Sequence, residues 1–127
     1  MRTAIFGTGF MGRVHLEAVR RVESVEAAAI AGRNEEAARR LGDAFSVRST
    51  TDYHDDLRDP EIDAVHICTP NAQHFSMAKD ALQAGKHVIC EEQLTRTVAE
   101  AEELVSLAAR RGVRNWVCHN LRYYPMV

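Results

Sequence analysis

Six residues near the start of the chain, Gly7-Thr8-Gly9-Phe10-Met11-Gly12, have the types and spacing to hold a phosphate. In a G-x-G-x-x-G the first glycine permits a tight turn, and the second lets the main chain approach a pyrophosphate with no side chain between. The third lets the following helix pack closely on the sheet. Free N–H groups and the positive dipole end of that helix then face the phosphates. The pattern has this meaning only between a strand and a helix. Thr3-Ala4-Ile5-Phe6 precedes it as an apolar strand, and Met11, Val14, Ala18, Val19 and Val22 follow with the apolar period of a helix. Gly7, Thr8, Gly9, Phe10, Met11 and Gly12 are therefore expected to bind a dinucleotide.

The residue that meets the adenosine ribose selects the dinucleotide. An NAD site places an Asp or Glu about twenty residues past the last glycine, at the tip of the second strand, to bind the ribose hydroxyl. Here that tip reads Gly32-Arg33-Asn34, with no carboxylate. The Arg33 guanidinium can fork onto a 2′-phosphate or stack on adenine. Glu35 and Glu36 close by weigh against a further phosphate. The balance favours NADP, with NAD as the alternative, and adds Gly32, Arg33 and Asn34 to the expected contacts.

Positioning these residues requires a parallel sheet with crossover helices, because short apolar runs alternate with segments of helical period. The second strand is read at 25–31. A helix capped by Asn34, with Glu35 and Glu36 where its dipole favours acids, runs to about Gly42. A short third strand at 46–49 and a brief helix at 52–58, ended by Asp59-Pro60, follow. Strand four is 63–68. After the turn Thr69-Pro70-Asn71, a helix over 74–84 turns Phe75, Ala78, Ala81 and Leu82 to the sheet, and Gly85 closes it. Strand five is 87–90. Thr97 and Glu100 make a capping box before the last helix, whose stripe is Val98, Ala101, Leu104, Val105 and Ala108. Gly112 ends it, and 115–118 is strand six. Right-handed crossovers then give an α/β, doubly wound parallel sheet of Rossmann type, order 3-2-1-4-5-6, as a single domain over residues 1–120.

Composition agrees with that reading and excludes others. The 127 residues suit one domain, and 46% hydrophobic with 27% charged is ordinary for a soluble globular protein. A net charge of −2 without a basic run or acidic tail argues against a nucleic-acid or membrane partner. No run approaches the ~20 apolar residues of a membrane span, and the opening strand leaves no room for a signal peptide. Cys68, Cys90 and Cys118 are far apart, with no C-x-x-C or Cys/His pair at metal-ligand spacing. Reduced thiols, a cytoplasmic location and no metal site are expected.

The second half carries longer signatures. Cys68-Thr69-Pro70-Asn71-Ala72-Gln73-His74, then Ala81-Leu82-Gln83-Ala84-Gly85-Lys86-His87-Val88-Ile89-Cys90-Glu91, resembles the Gfo/Idh/MocA oxidoreductases. So do residues 7–15, with a histidine in the first helix, and Arg122-Tyr123-Tyr124-Pro125. The resemblance implies hydride transfer between a nicotinamide and a carbon of a sugar, polyol or cyclitol. It implies an N-terminal half that holds the cofactor and a C-terminal α/β half that supplies most substrate contacts, usually with a catalytic Asp and His. Residues 121–127 would begin the connection to that second domain, which this chain lacks. Thr69, Pro70, Asn71 and His74 would lie along the cofactor near its nicotinamide-side ribose. Glu91 matches the family pattern and is counted with them. Asn120 and Arg122 can reach the nicotinamide end or simply cap a chain end.

One position departs from the family. After strand five the family reads Glu-Lys-Pro, with the lysine orienting or protonating the reacting oxygen, whereas this chain reads Glu91-Glu92-Gln93. A cationic donor has become, at neutral pH, an acceptor-only carboxylate. Glu92 is the candidate catalytic group if desolvation raises its pKa. The other readings are a surface glutamate and a cofactor-binding regulator or scaffold that does not turn over.

The remaining residues read as ordinary. The cysteines are expected to pack as small hydrophobes, His66, His87 and His119 as core or edge residues, and Trp116 as core; His54 carries no signal. With no second domain above them, Trp116, Val117, Tyr123, Tyr124 and Met126 would stand at or near an open sheet edge, and a homodimer is expected.

Overall fold

Strands β1 (Arg2–Phe6) and β4 (Ala64–Ile67) form the middle of the sheet, and nearly every residue in them is buried, as helices on both faces require. Around them stand β2 (Glu26–Ala31), β3 (Arg48–Thr50), β5 (His87–Glu91) and β6 (Asn115–Cys118), all parallel, in the order β3-β2-β1-β4-β5-β6. Five helices connect them: α1 (Phe10–Val19), α2 (Glu35–Phe45), α3 (Tyr53–Arg58), α4 (His74–Gln83) and α5 (Val98–Arg111). Alternation along β1 sends Ala4 and Phe6 to the face covered by α4 and α5, and Ile5 to the face where Leu16 and Ile30 pack. This is the doubly wound sheet that the sequence predicts. The computed structural model describes residues 1–125, so Met126 and Val127, the last two residues of the expected connection, lie outside the described residues.

The helix ends follow their sequence signals. Asn34 Oδ1 accepts from the Ala37 N–H at 2.9 Å, the Thr97–Glu100 capping box is complete, and Gly85 and Gly112 close α4 and α5 with left-handed backbone. The helix faces are where the sequence reading needs correction. α1 buries Gly12, His15, Leu16 and Val19, while Val14, Ala18 and Val22 are exposed. α5 buries Leu104, Leu107 and Ala108 and leaves Val98 76% exposed. Gly42 does not stop α2; it is buried inside the helix, where a Cβ would come within 2.9 Å of the Val47 carbonyl oxygen, and the chain continues to Phe45. β3 lies two residues later than expected at its start, and Trp116, expected in the core, is 53% exposed on β6. Among the described residues no helix is long and apolar enough to cross a membrane.

Main-chain contact sets the rotation of α1. A Cβ on Gly12 would lie 1.9 Å from the Gly7 carbonyl oxygen, which no rotamer change can relieve. Only glycine lets this face of α1 settle on the loop, and that selects His15, Leu16 and Val19 for burial over the more apolar Val14 and Val22. Gly12→Ala should therefore destabilise the fold by at least ~2 kcal/mol. Circular dichroism should show the thermal midpoint falling by ~6 °C or more. An unchanged midpoint would mean that α1 does not rest on the loop.

Candidate functional site

Neighbouring strands β1 and β4 are the point where the chain order reverses, and open α/β sheets bind ligands at the carboxyl ends of such strands. A cleft of about 500 Å³ opens there. Gly7, Thr8, Gly9, Phe10 and Met11 form one wall, Ala31, Gly32, Arg33 and Asn34 a second, and Cys68, Thr69 and Pro70 a third. Three segments that the sequence singled out separately thus meet around one space. Of the other expected contacts, Gly12, Asn71, His74, Glu91 and Arg122 do not line it.

The loop is wedged between β2 and β4. The Gly7 N–H donates to the Ala31 carbonyl at 2.8 Å, and Gly7 has φ +119°, with its missing Cβ aimed 2.5 Å from the Cys68 carbonyl oxygen. Gly32 makes room for Thr8, whose Cγ2 would lie 2.3 Å from a Cβ there. Gly9 differs: a Cβ on it would meet nothing within 4 Å, so the space it leaves open belongs to the cleft. Gly9 also precedes α1 without any side-chain cap, and the first turn carries no acid. The leading N–H groups of α1 are left for an anion. Arg33 is exposed, and among the described residues it has no carboxylate within 4.0 Å.

Phe6, Thr51, Tyr53, Gln73 and Met77 also line the cleft and were not read from the sequence. Thr51 follows β3, so the rule of strand carboxyl ends could have found it. Tyr53 and Met77 arrive only when α3 and α4 fold over. The Tyr53 hydroxyl donates to Asp80 at 2.7 Å and its ring packs on Phe6; burial and that carboxylate push the phenol above its usual range. Fully buried His74 stands behind the turn, with Nε2 2.7 Å from the Thr69 carbonyl oxygen and Nδ1 2.7 Å from that of Gln93. It ties the Thr69-Pro70-Asn71 turn to the segment after β5.

A second polar group forms beyond the cleft. His15 Nδ1 lies 2.8 Å from His66 Nδ1, and His15 Nε2 lies 2.7 Å from Glu91 Oε1, so Glu91 is turned toward α1. Glu92 is exposed just after β5, its carboxylate 3.2 Å from Nδ1 of His119. Arg122 is exposed in the 3₁₀ turn Asn120–Tyr123.

The profile of an oxidoreductase family with an NAD-binding Rossmann fold, Gfo/Idh/MocA, matches residues 1–119. The chain belongs to the Gfo/Idh/MocA oxidoreductase family. It is 34% identical over 125 residues to the D-apiose dehydrogenase of Paraburkholderia graminis, covering 98% of this chain and 33% of that protein. Among solved structures it resembles GenD2 of gentamicin A biosynthesis in complex with NAD, at TM-score 0.96 and 31% identity over 98% of this chain and 36% of GenD2. Biliverdin reductase from Synechocystis, solved with biliverdin and NADP+, gives TM-score 0.88 and 36% identity over 93% of this chain and 37% of the reductase. The chain spans about a third of the length of these relatives. Like the rest of the Gfo/Idh/MocA family, it has an NAD(P)-binding domain, and the dinucleotide is its cofactor.

Two buried groups give the fold a pH signature. Burial, with His15 beside it, lowers the His66 pKa to about 4, so the unfolded chain protonates first and this group's contribution to stability is lost as pH falls from 6.5 toward 4. Asp56 is wholly buried; burial raises its carboxyl to about 6 despite the Arg48 guanidinium 2.8 Å away. The folded chain holds that proton longer, so stability is lost as pH rises from 3.8 through 6. Each effect is on the order of 3 kcal/mol, with opposite sign. Urea unfolding of the wild type should therefore change little between pH ~4.5 and ~6.5, whereas His66→Asn should become more stable toward the acid end. A His66→Asn variant that still gains stability with rising pH would contradict the assignment.

Proposed function

We propose that this chain is the NADP-preferring cofactor domain of an oxidoreductase that transfers hydride between nicotinamide and a hydroxyl-bearing carbon of a sugar, polyol or cyclitol. The cleft is the observation that carries this reading. It joins the uncapped start of α1, an Arg33 without a carboxylate partner among the described residues, and the Thr69-Pro70 turn around one volume. In this reading the Gly7 turn shapes the loop, the N–H groups of Thr8 to Gly12 hold the pyrophosphate, and Arg33 grips the 2′-phosphate between Gly32 and Asn34. Thr69, Pro70 and Asn71 lie along the nicotinamide-side ribose, with His74 fixing their turn. The bound cofactor supplies or accepts the hydride. The dehydrogenase of D-apiose among the relatives supports a sugar-like substrate.

Residues 1–120 form the cofactor domain in this proposal, and 121–127 begin the connection to the part that brings the substrate. Glu92, where the family carries lysine, serves as acid or base with His119 orienting it. A second reading, a cofactor-binding regulator without turnover, is favoured by the same Glu92 and Gln93. The three unpaired thiols support a cytoplasmic location. The exposed β6 edge, with Trp116, Tyr123 and Tyr124 beside it, supports a homodimer.

Calorimetric titration checks the cofactor preference. Arg33→Ala should weaken NADPH by ~1.5–3 kcal/mol, the value of a charge-assisted bond, and leave NADH nearly unchanged. Equal losses would mean that Arg33 only stacks on adenine. Failure of the folded wild type to bind either dinucleotide at millimolar concentration would overturn the reading. The purified 127-residue chain should show no steady turnover of sugars, because in this proposal the substrate side of the site, worth ~7–11 kcal/mol in positioning, comes from another part of the protein. Measurable turnover in a coupled absorbance assay would contradict this.

A further inference from the structure

Beyond the cleft, three side chains that no local spacing connects converge at the carboxyl end of the sheet. His15 comes from the buried face of α1, Glu91 from the end of β5 and Cys118 from the end of β6. One donor atom of each lies within 4.8 Å of the other two. We propose that His15, Glu91 and Cys118 form a binding site for a zinc-class divalent ion, distinct from the dinucleotide cleft and independent of the proposed dehydrogenase activity.

Donor chemistry fits such an ion. Imidazole, carboxylate and thiolate are the three ligand types that zinc takes from proteins, and one carboxylate with one thiolate balances a divalent charge. On binding, the Cys118 thiol gives its proton to solvent as the metal–sulfur bond forms. Three protein donors leave a fourth position for water.

The geometry needs little adjustment. Around a tetrahedral zinc, with bonds of ~2.1 Å to nitrogen or oxygen and ~2.3 Å to sulfur, the donors stand ~3.3–3.7 Å apart. The His15–Glu91 contact of 2.7 Å must open by less than an ångström, and the remaining edges, none longer than 4.8 Å, need close by no more than about an ångström. Glu91 and Cys118 are register partners on adjacent strands, so their side chains leave the same face of the sheet side by side. His15 is already aimed: its Nδ1 is engaged by His66 at 2.8 Å, leaving Nε2 toward Glu91. A ligand histidine whose other nitrogen is held in this way has its ring orientation fixed in advance. The His15 and Glu91 side chains are only 11% and 12% exposed, and the half-buried Cys118 lies on the edge strand, which gives the ion its entry. A bound ion would fasten α1, the helix that opens on the glycine loop, to the β5–β6 edge.

Cobalt(II) is the probe, because its bond to a thiolate gives an intense near-ultraviolet band. The metal-stripped chain should take up one equivalent of Co²⁺ with that band, lose it to Zn²⁺, and melt at a higher temperature with Zn²⁺ bound. Cys118→Ser, checked for its fold by circular dichroism, should abolish the band and weaken Zn²⁺ at least tenfold, while Cys90→Ser keeps both. His15→Gln should weaken Zn²⁺ similarly, and Cys118→Ser stands alone as the test if that variant fails to fold. A folded wild type with no saturable Co²⁺ band, or a Cys118→Ser chain that keeps it, would overturn the proposal and leave a metal-free hydrogen-bonded cluster. NADPH titration of the same sample reports separately on the cofactor cleft.

Discussion

Main chain pressed on main chain at the end of β1 is the constraint from which the rest follows. Gly7 turns with positive φ against the Cys68–Thr69 peptide, and Gly12 sits on the Gly7 carbonyl, each at a distance that no Cβ could share. The first contact joins the loop to β4, and the second docks α1 on the loop. Between them they fix the angle at which α1 leaves the sheet and hence the mouth of the cleft. His15 is delivered to His66 and Glu91 by the same rotation of α1.

Electrostatics then separates the start of α1 from the capped helices. α2, α3 and α5 each satisfy a leading N–H group with Asn34, Asp52 or Thr97, and all three also hold an acid in the first turn. α1 and α4 have neither a side-chain cap nor an acid; α4 continues the 3₁₀ turn Asn71–Gln73, whereas α1 opens from the glycine loop onto the cleft. Unsatisfied donors are costly unless water or a ligand meets them. The chain thus omits that stabilisation at a helix end where a pyrophosphate would supply it.

Local rules explain why so much of this was legible in the sequence. The glycine spacing, the Asn34 and Thr97 caps and the closing Gly85 and Gly112 depend on neighbours within a few residues, and the strand order follows from the handedness of crossovers. The cleft walls at Gly7–Met11, Gly32–Asn34 and Thr69-Pro70 were legible for the same reason. What the sequence concealed is tertiary. Apolar period pointed to Val14 and Val98, but a glycine contact and the fit of α5 on α4 decided which faces were buried. His74 reads as a ligand contact in its motif, yet its burial behind Thr69 and Gln93 depends on two loops meeting. His15 and Glu91 are 76 residues apart in the chain, so no spacing rule for metal ligands could join them.

The space left by Gly9 is, in the proposed function, the seat of a bound dinucleotide, and Gly9→Ala fills it. The added Cβ meets no protein atom within 4 Å, and the backbone at Gly9, with φ −79° and ψ −167°, suits alanine. Gly9→Ala should keep the wild-type thermal midpoint and lose at least tenfold in NADPH affinity by calorimetry. A variant that binds NADPH as tightly as the wild type would contradict that placement of the dinucleotide.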